Sequence, residues 1–185
     1  MKRFAWHRGL MLTAGVALAG APEASAQAQE PTTVLVVRHT EKVSDASDAV
    51  LSDEGWERAR ELQRVTADAG VSVLFASQYV RAQQTLEPIA GELGLEVLVH
   101  DARDSEGLAK RILCDHAGDV ILVSGHSNTV PEIVAALGAP EPPPIDDAEY
   151  DNLFVVSVSA DGKPASVLRL RFGRSADEPG VPPQK

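Results

Sequence analysis

Thr33-Val34-Leu35-Val36-Val37-Arg38-His39 is the stretch on which the fold turns. Its first five residues are aliphatic or β-branched with no polar alternation, which reads as a strand buried on both faces. A strand of that kind needs helices above and below it. The run then breaks abruptly into a guanidinium and an imidazole, two groups that packing alone would not place at a strand end.

Downstream, the pattern alternates between helix and strand. Ser52 is a helix N-cap, followed by Asp53 and Glu54 in the first turn; Trp56, Ala59, Leu62 and Val65 recur at helical spacing up to Gly70. Val71 to Ala76 is a second buried strand. A helix from Val80 to Glu92 follows, with Leu86, Ile89 and Leu93 on its inner face and Pro88 as a kink or break. Leu95 to Val99 reads as a third strand. Leu108, Ile112 and Leu113 mark a third helix, Val120 to Val123 a fourth strand, and Pro131 the first turn of a helix ending at Gly138. After the proline-rich Ala139 to Pro144, the stretches Leu153–Ser159 and Ser166–Phe172 alternate around Asp161-Gly162, a hairpin signal. The order predicts an α/β three-layer sandwich with a mainly parallel central sheet and a C-terminal antiparallel addition. Trp56 and Cys114 are expected in the core.

Upstream, residues 1–26 have the three parts of a secretory signal peptide. Lys2, Arg3 and Arg8 are basic, Gly9 to Gly20 is apolar and uncharged, and Ala24-Ser25-Ala26 is a small-residue cleavage site. The apolar part is well short of the roughly 20 residues that span a bilayer, so no stable membrane span is expected. The organisation expected is a signal peptide (1–26), a leader (27–32), one domain (33–173) and a flexible tail (174–185), with a periplasmic or secreted location.

Composition narrows the function classes. The 185 residues are 44% hydrophobic and 24% charged, ordinary for a globular chain and unlike a disordered or multi-span protein. Seventeen Lys+Arg against 27 Asp+Glu give a formal charge of −10, which repels a phosphate backbone and argues against nucleic acid as a partner. One cysteine can form neither an internal disulfide nor a thiolate cluster. On such an acidic chain a cluster of cations is informative.

Ligands of open α/β sheets sit beyond the carboxyl ends of the strands. The first strand runs into Arg38 and His39, the second into Ser77 and Arg81, the third into His100 and Asp101, and the fourth into Ser124-Gly125-His126-Ser127-Asn128. Two histidines could ligate a metal, but a guanidinium next to one of them disfavours a divalent cation, and no third ligand has suitable spacing. An anion fits better, because guanidinium forks match phosphate oxygens and helix N-termini add N–H donors. Glu41, Lys42 and Asp45 read as a solvated loop, and Glu141–Pro144 with Tyr150-Asp151-Asn152 as possible borders of the pocket.

At these residues the chain resembles the histidine phosphatase superfamily, whose members include phosphoglycerate-mutase-like enzymes. Val37-Arg38-His39-Thr40-Glu41-Lys42 is similar to its RH signature. Leu51-Ser52-Asp53-Glu54-Gly55-Trp56-Glu57-Arg58-Ala59 is similar to its L-[ST]-x-x-G-x-x-[RQ]-A helix start, and Ser77 to Thr85 to its S-x-x-x-R-[AC]-x-x-T segment. Gly125-His126-Ser127-Asn128-Thr129 resembles its second-histidine motif. The resemblance runs from about Thr33 to Phe172.

The resemblance implies a phosphoglycerate-mutase-like fold and a phosphomonoester hydrolase that needs no metal or other cofactor. His39 would be the nucleophile that becomes phosphohistidine, and Arg38, Arg81 and His126 would bind the phosphoryl oxygens. The chain departs from the family pattern at Asp45, where an Asn is common, at Ser127, where one branch has Asp, and after the third strand, where a Glu acid is common. Asp101 is the candidate general acid, with Asp104 and Glu106 behind it. The expected substrate is a small organic or sugar phosphate, including phosphates of the cell envelope. A non-catalytic phosphate-binding module of the same fold is the alternative from another class, and a metal-dependent hydrolase a third.

Overall fold

A computed structural model describes residues 30–160 and 165–174. The expected signal peptide, the leader before Glu30, the Asp161-Gly162 turn and the tail beyond Arg174 lie outside these residues. The elements are β1 (Thr32–Arg38), α1 (Asp53–Thr66), β2 (Val73–Ser77), α2 (Val80–Leu93), β3 (Val97–His100), α3 (Ser105–Asp115), β4 (Val120–Gly125), α4 (Thr129–Ala136), β5 (Asn152–Val158) and β6 (Ser166–Arg171).

The strands form one six-stranded sheet in the order β3-β2-β4-β1-β5-β6. The first four in that order are parallel; β5 pairs antiparallel with β1, and β6 with β5. This is the α/β sandwich expected, with its antiparallel addition in place. Residue alternation in β1 divides the core. Val34 and Val36 face a cluster with Leu108 and Ile112 of α3 and Ile133 of α4. Leu35 and Val37 face the other side, with Leu62 of α1 and Leu86 and Ile89 of α2. Each fully buried aliphatic side chain contributes roughly 1.5–3 kcal/mol.

Several expectations shift for identifiable reasons. α1 ends at Thr66, not near Gly70, and its buried stripe is Ala59, Leu62 and Thr66. The Thr66 hydroxyl satisfies itself by donating to Leu62 O at 2.7 Å, so a polar residue fills the last core slot and Val65, one position off the stripe, is exposed. Trp56 is half-buried and outside both clusters. α2 runs through Pro88 to Leu93, and Leu93 is exposed. β3 begins at Val97 rather than Leu95 and is a half-exposed edge strand. Cys114 is exposed, because it lies on the far side of α3 from Leu108 and Ile112.

The register fixes the site. Arg38 lies opposite Gly125, Ala76 opposite Ser124, and Ser77 opposite His100, so all four parallel strands end along one edge. Within the described residues no helix is long and apolar enough to cross a membrane.

Candidate active site

The residues around the end of β1 are fixed by the three segments quoted from the sequence. Ser52 caps α1 by accepting from Gly55 N at 3.2 Å. A Cβ on Gly55 would sit 2.1 Å from Glu41 O, so the loop after His39 can pack onto α1 only because residue 55 has no side chain. Arg58 donates through Nε to both carboxylate oxygens of Glu41, at 2.9 and 3.0 Å, and through Nη1 to Phe172 O at 3.1 Å. Glu41 is thus a half-buried anchor rather than part of a solvated loop. Thr85 accepts from Thr40 N at 3.0 Å and donates to Arg81 O at 2.8 Å, tying that loop to α2.

His39 is buried at the head of this scaffold. Its backbone N–H continues the β1–β4 pairing by donating to Gly125 O at 2.9 Å. Its Nδ1 lies 2.8 Å from Thr40 O. A carbonyl oxygen can only accept, so Nδ1 carries the proton and Nε2 presents a lone pair. Arg81 Nε donates to that lone pair at 3.1 Å. Burial, followed by the nearby His126, Arg81 and Arg38, lowers the His39 pKa to about 3, so the ring is neutral at pH 7.

His126 follows β4, and its ring meets His39 edge-on with centroids 5.2 Å apart. Its Nε2 is 2.8 Å from Ser77 Oγ, and the Tyr79 ring lies against it at 5.1 Å. Burial and then the two arginines lower its pKa to about 4. The His126 backbone N–H is committed to Thr129 Oγ1 at 2.9 Å and is not free for an anion.

Arg38 is 4% exposed. Its Nη1 donates to the carbonyls of Asp146, Asp147 and Glu149 at 2.9, 2.9 and 3.1 Å. The Tyr150 ring covers the guanidinium, with Cζ 4.0 Å from its centroid. Nη2 is 3.9 Å from an Asp147 carboxylate oxygen, and the buried Nε has no hydrogen-bond partner among the described residues. One face of Arg38 therefore holds the α4–β5 loop, while Nε remains to be satisfied.

These side chains surround a pocket of about 300 Å³. The structure brings Arg38, His39, Arg81 and His126 together on it, as the strand ends suggested. It does not bring Asp101, which is exposed and does not line the pocket. Asp101 Oδ1 accepts from Arg103 N at 3.0 Å. Asp104 caps α3 by accepting from Gly107 N at 2.9 Å, and Glu106 sits in the first turn of α3. The carboxylate that does line the pocket is Asp147, 3.5 Å from the Ser127 hydroxyl. Sequence reasoning missed Asp147, Tyr79 and Arg103; the tyrosine and the arginine stood beside recognised motifs, while the loop carrying Asp147 has no periodicity to read. Tyr150 does border the Arg38 side of the site. Among the described residues, no three His, Cys, Asp or Glu side chains gather as a metal-ligand group.

Residues 33–104 match the sequence model of the histidine phosphatase superfamily (branch 1). Solved structures share the fold. The protein histidine phosphatase SixA, complexed with tungstate, superposes with a TM-score of 0.61 at 20% identity, over 75% of this chain and 96% of that one. A mycobacterial glucosyl-3-phosphoglycerate phosphatase gives 0.58 at 15% identity, over 69% and 91%. A phosphoserine phosphatase from Entamoeba histolytica gives 0.54 at 15%, over 78% and 98%. No curated protein sequence matches the chain.

Proposed function

We propose that the chain is a histidine phosphatase, on the match of residues 33–104 to the sequence model of that superfamily, and that it hydrolyses phosphomonoesters through a phosphohistidine on His39, without a metal. The observation that carries the reading is the His39 lone pair: Nδ1 is pinned to Thr40 O while Nε2 faces Arg81 at 3.1 Å. That tautomer is the one a nucleophile needs.

In the reaction, a phosphoryl group enters where Arg81 now touches His39. Arg81 Nε–H turns to a phosphoryl oxygen and frees the Nε2 lone pair. Nε2 attacks phosphorus, the ester P–O bond opposite it breaks, and the leaving oxygen departs with its electron pair. The transition state spreads charge over the equatorial oxygens, so catalysis rests on positioning and fixed cations. Arg38 Nε, Arg81 and His126 supply those contacts. Asp147 carries the carboxyl that lines the pocket and is assigned to protonate the leaving oxygen. Asp101 does not line the pocket, and its Oδ1 accepts from Arg103 N. Water then attacks the phosphohistidine, releasing phosphate and restoring His39.

The substrate is a small organic or sugar phosphate. The signal peptide expected over residues 1–26 supports a substrate outside the cytoplasm. Phosphomonoesters assayed with and without chelator test this reading. Turnover insensitive to chelator supports it; phosphate binding without turnover would instead mean a binding module, and loss of activity in chelator a metal-dependent hydrolase.

A further inference from the structure

Ser77 is the last residue of β2 and is fully buried. Side chains alternate along a strand, so Ser77 shares a face with Phe75, a member of the cluster formed with α3 and α4. An apolar side chain would suit that position, and a buried hydroxyl there is costly unless it is hydrogen-bonded. The hydroxyl has one partner among the described residues, His126 Nε2 at 2.8 Å. β2 and β4 are neighbours in the sheet, with Ala76 opposite Ser124, so the contact joins two adjacent strand ends. Ser77 does not line the pocket, and it can act there only through His126.

The two nitrogens of His126 have different surroundings. Nε2 is committed to Ser77. Nδ1 has no hydrogen-bond partner among the described residues, yet it is not one of the buried unpartnered atoms, and His126 lines the pocket. Nδ1 is therefore the nitrogen open to the pocket. A neutral imidazole carries one proton, and burial with the two arginines keeps this ring neutral at pH 7. A phosphoryl oxygen accepts hydrogen bonds, so a proton on Nδ1 attracts it and a lone pair there repels it. A proton on Nδ1 leaves the lone pair on Nε2, where only a donor satisfies it, and the Ser77 O–H is such a donor. At His39 the opposite need is met by a carbonyl: Thr40 O holds the proton on Nδ1 and leaves the lone pair on Nε2, facing Arg81. One ring thus offers a lone pair and the other an N–H.

We infer that Ser77 is a positioning residue: its hydroxyl donates to His126 Nε2 and so holds the tautomer that offers Nδ1–H to a phosphoryl oxygen. The inference rests on the phosphoester reading and deepens it, since it assigns the proton that separates the donor histidine from the nucleophilic one. The hydroxyl takes no part in bond making or breaking; it sets which atom of His126 meets the substrate.

The tautomer can be read without substrate. In the full chain labelled with ¹⁵N-histidine, long-range ¹H–¹⁵N spectra at pH 7 distinguish a protonated ring nitrogen from a bare one, and the His126 signals are those missing from His126→Asn. The wild-type ring should carry its proton on Nδ1. Ser77→Ala should lose that preference, and Ser77→Thr, which keeps the hydroxyl, should retain it. With nitrophenyl phosphate, Ser77→Ala should lower kcat about tenfold and change KM far less; losing an oxyanion donor outright costs about 10²–10³-fold, but here the ring stays in place. A wild-type ring protonated on Nε2, or on both nitrogens, would overturn the inference. So would a proton that stays on Nδ1 in Ser77→Ala, the mark of a merely structural serine, or a kcat that does not fall. The expected tautomer in a wild-type protein that turns over no phosphomonoester would overturn the phosphoester reading instead.

Discussion

The two ends of the catalytic edge are built differently. At the end of β1, Arg38 and His39 are buried, and most of their polar atoms, though not Arg38 Nε, are engaged by the loop after β1, by α2 and by the α4–β5 loop. At the end of β3, an edge strand, Arg103 stands exposed on a short turn. The first end is over-determined because reactive groups must be held in line with one phosphoryl group. The second is an exposed turn at the edge of the sheet. Damage to the two ends should differ accordingly, and the expected effects fall in order of size.

His39→Ala should abolish turnover, a loss of about 10⁴-fold or more, because no other imidazole lone pair faces the pocket in this way. Arg81→Gln removes a guanidinium from both His39 and the phosphoryl oxygens; kcat should drop about 10²–10³-fold, the usual effect of losing one oxyanion donor.

The buried end should also be where acid acts first. His39 and His126 have folded pKa values of about 3 and about 4, below the 6.5 of the unfolded chain. Between those values the unfolded state binds more protons, so their contribution is fully present above pH 6.5 and is lost as pH falls toward 4 and then 3. Chemical denaturation at pH 7 and pH 4.5 should show stability falling on acidification by an amount on the order of a few kcal/mol. His39→Gln should flatten that dependence; an unchanged slope would mean that His39 is not held neutral.

Smaller effects should separate the carboxylates. Asp147→Asn should slow turnover of alkyl phosphates about 10²-fold and of nitrophenyl phosphate far less, since a good leaving group needs little protonation. Asp101→Asn should change both substrate types slightly and equally, because an amide oxygen can still accept from Arg103 N. The reverse pattern would move the acid to Asp101.

What could be read from the sequence follows the same division. The buried β1 run, the capped start of α1 at Ser52 and the helical spacing of Leu86 and Ile89 each carry a period or a cap, and the structure has them. The gathering of Arg38, His39, Arg81 and His126 was legible because each follows a parallel strand, and parallel strands end on one edge. The strand order had no local signal, so the position of β3 at the sheet edge could not be read. Asp101 was placed at the site by its position after β3, but an aspartate two residues before a free backbone N–H folds back onto it. The Arg38 contacts to the carbonyls of Asp146, Asp147 and Glu149 span more than a hundred residues of chain and involve backbone atoms, which no side-chain pattern records.

The central claim is that His39 Nε2 takes the phosphoryl group. Its most direct test is to mix the wild-type protein with a ³²P-labelled phosphomonoester, quench rapidly under alkaline conditions that preserve phosphohistidine, and map the labelled peptide. The account predicts acid-labile label on the peptide containing His39, absent in His39→Ala and retained, at reduced rate, in Arg81→Gln. Label on His126 or Ser127, or turnover that persists in His39→Ala, would contradict it.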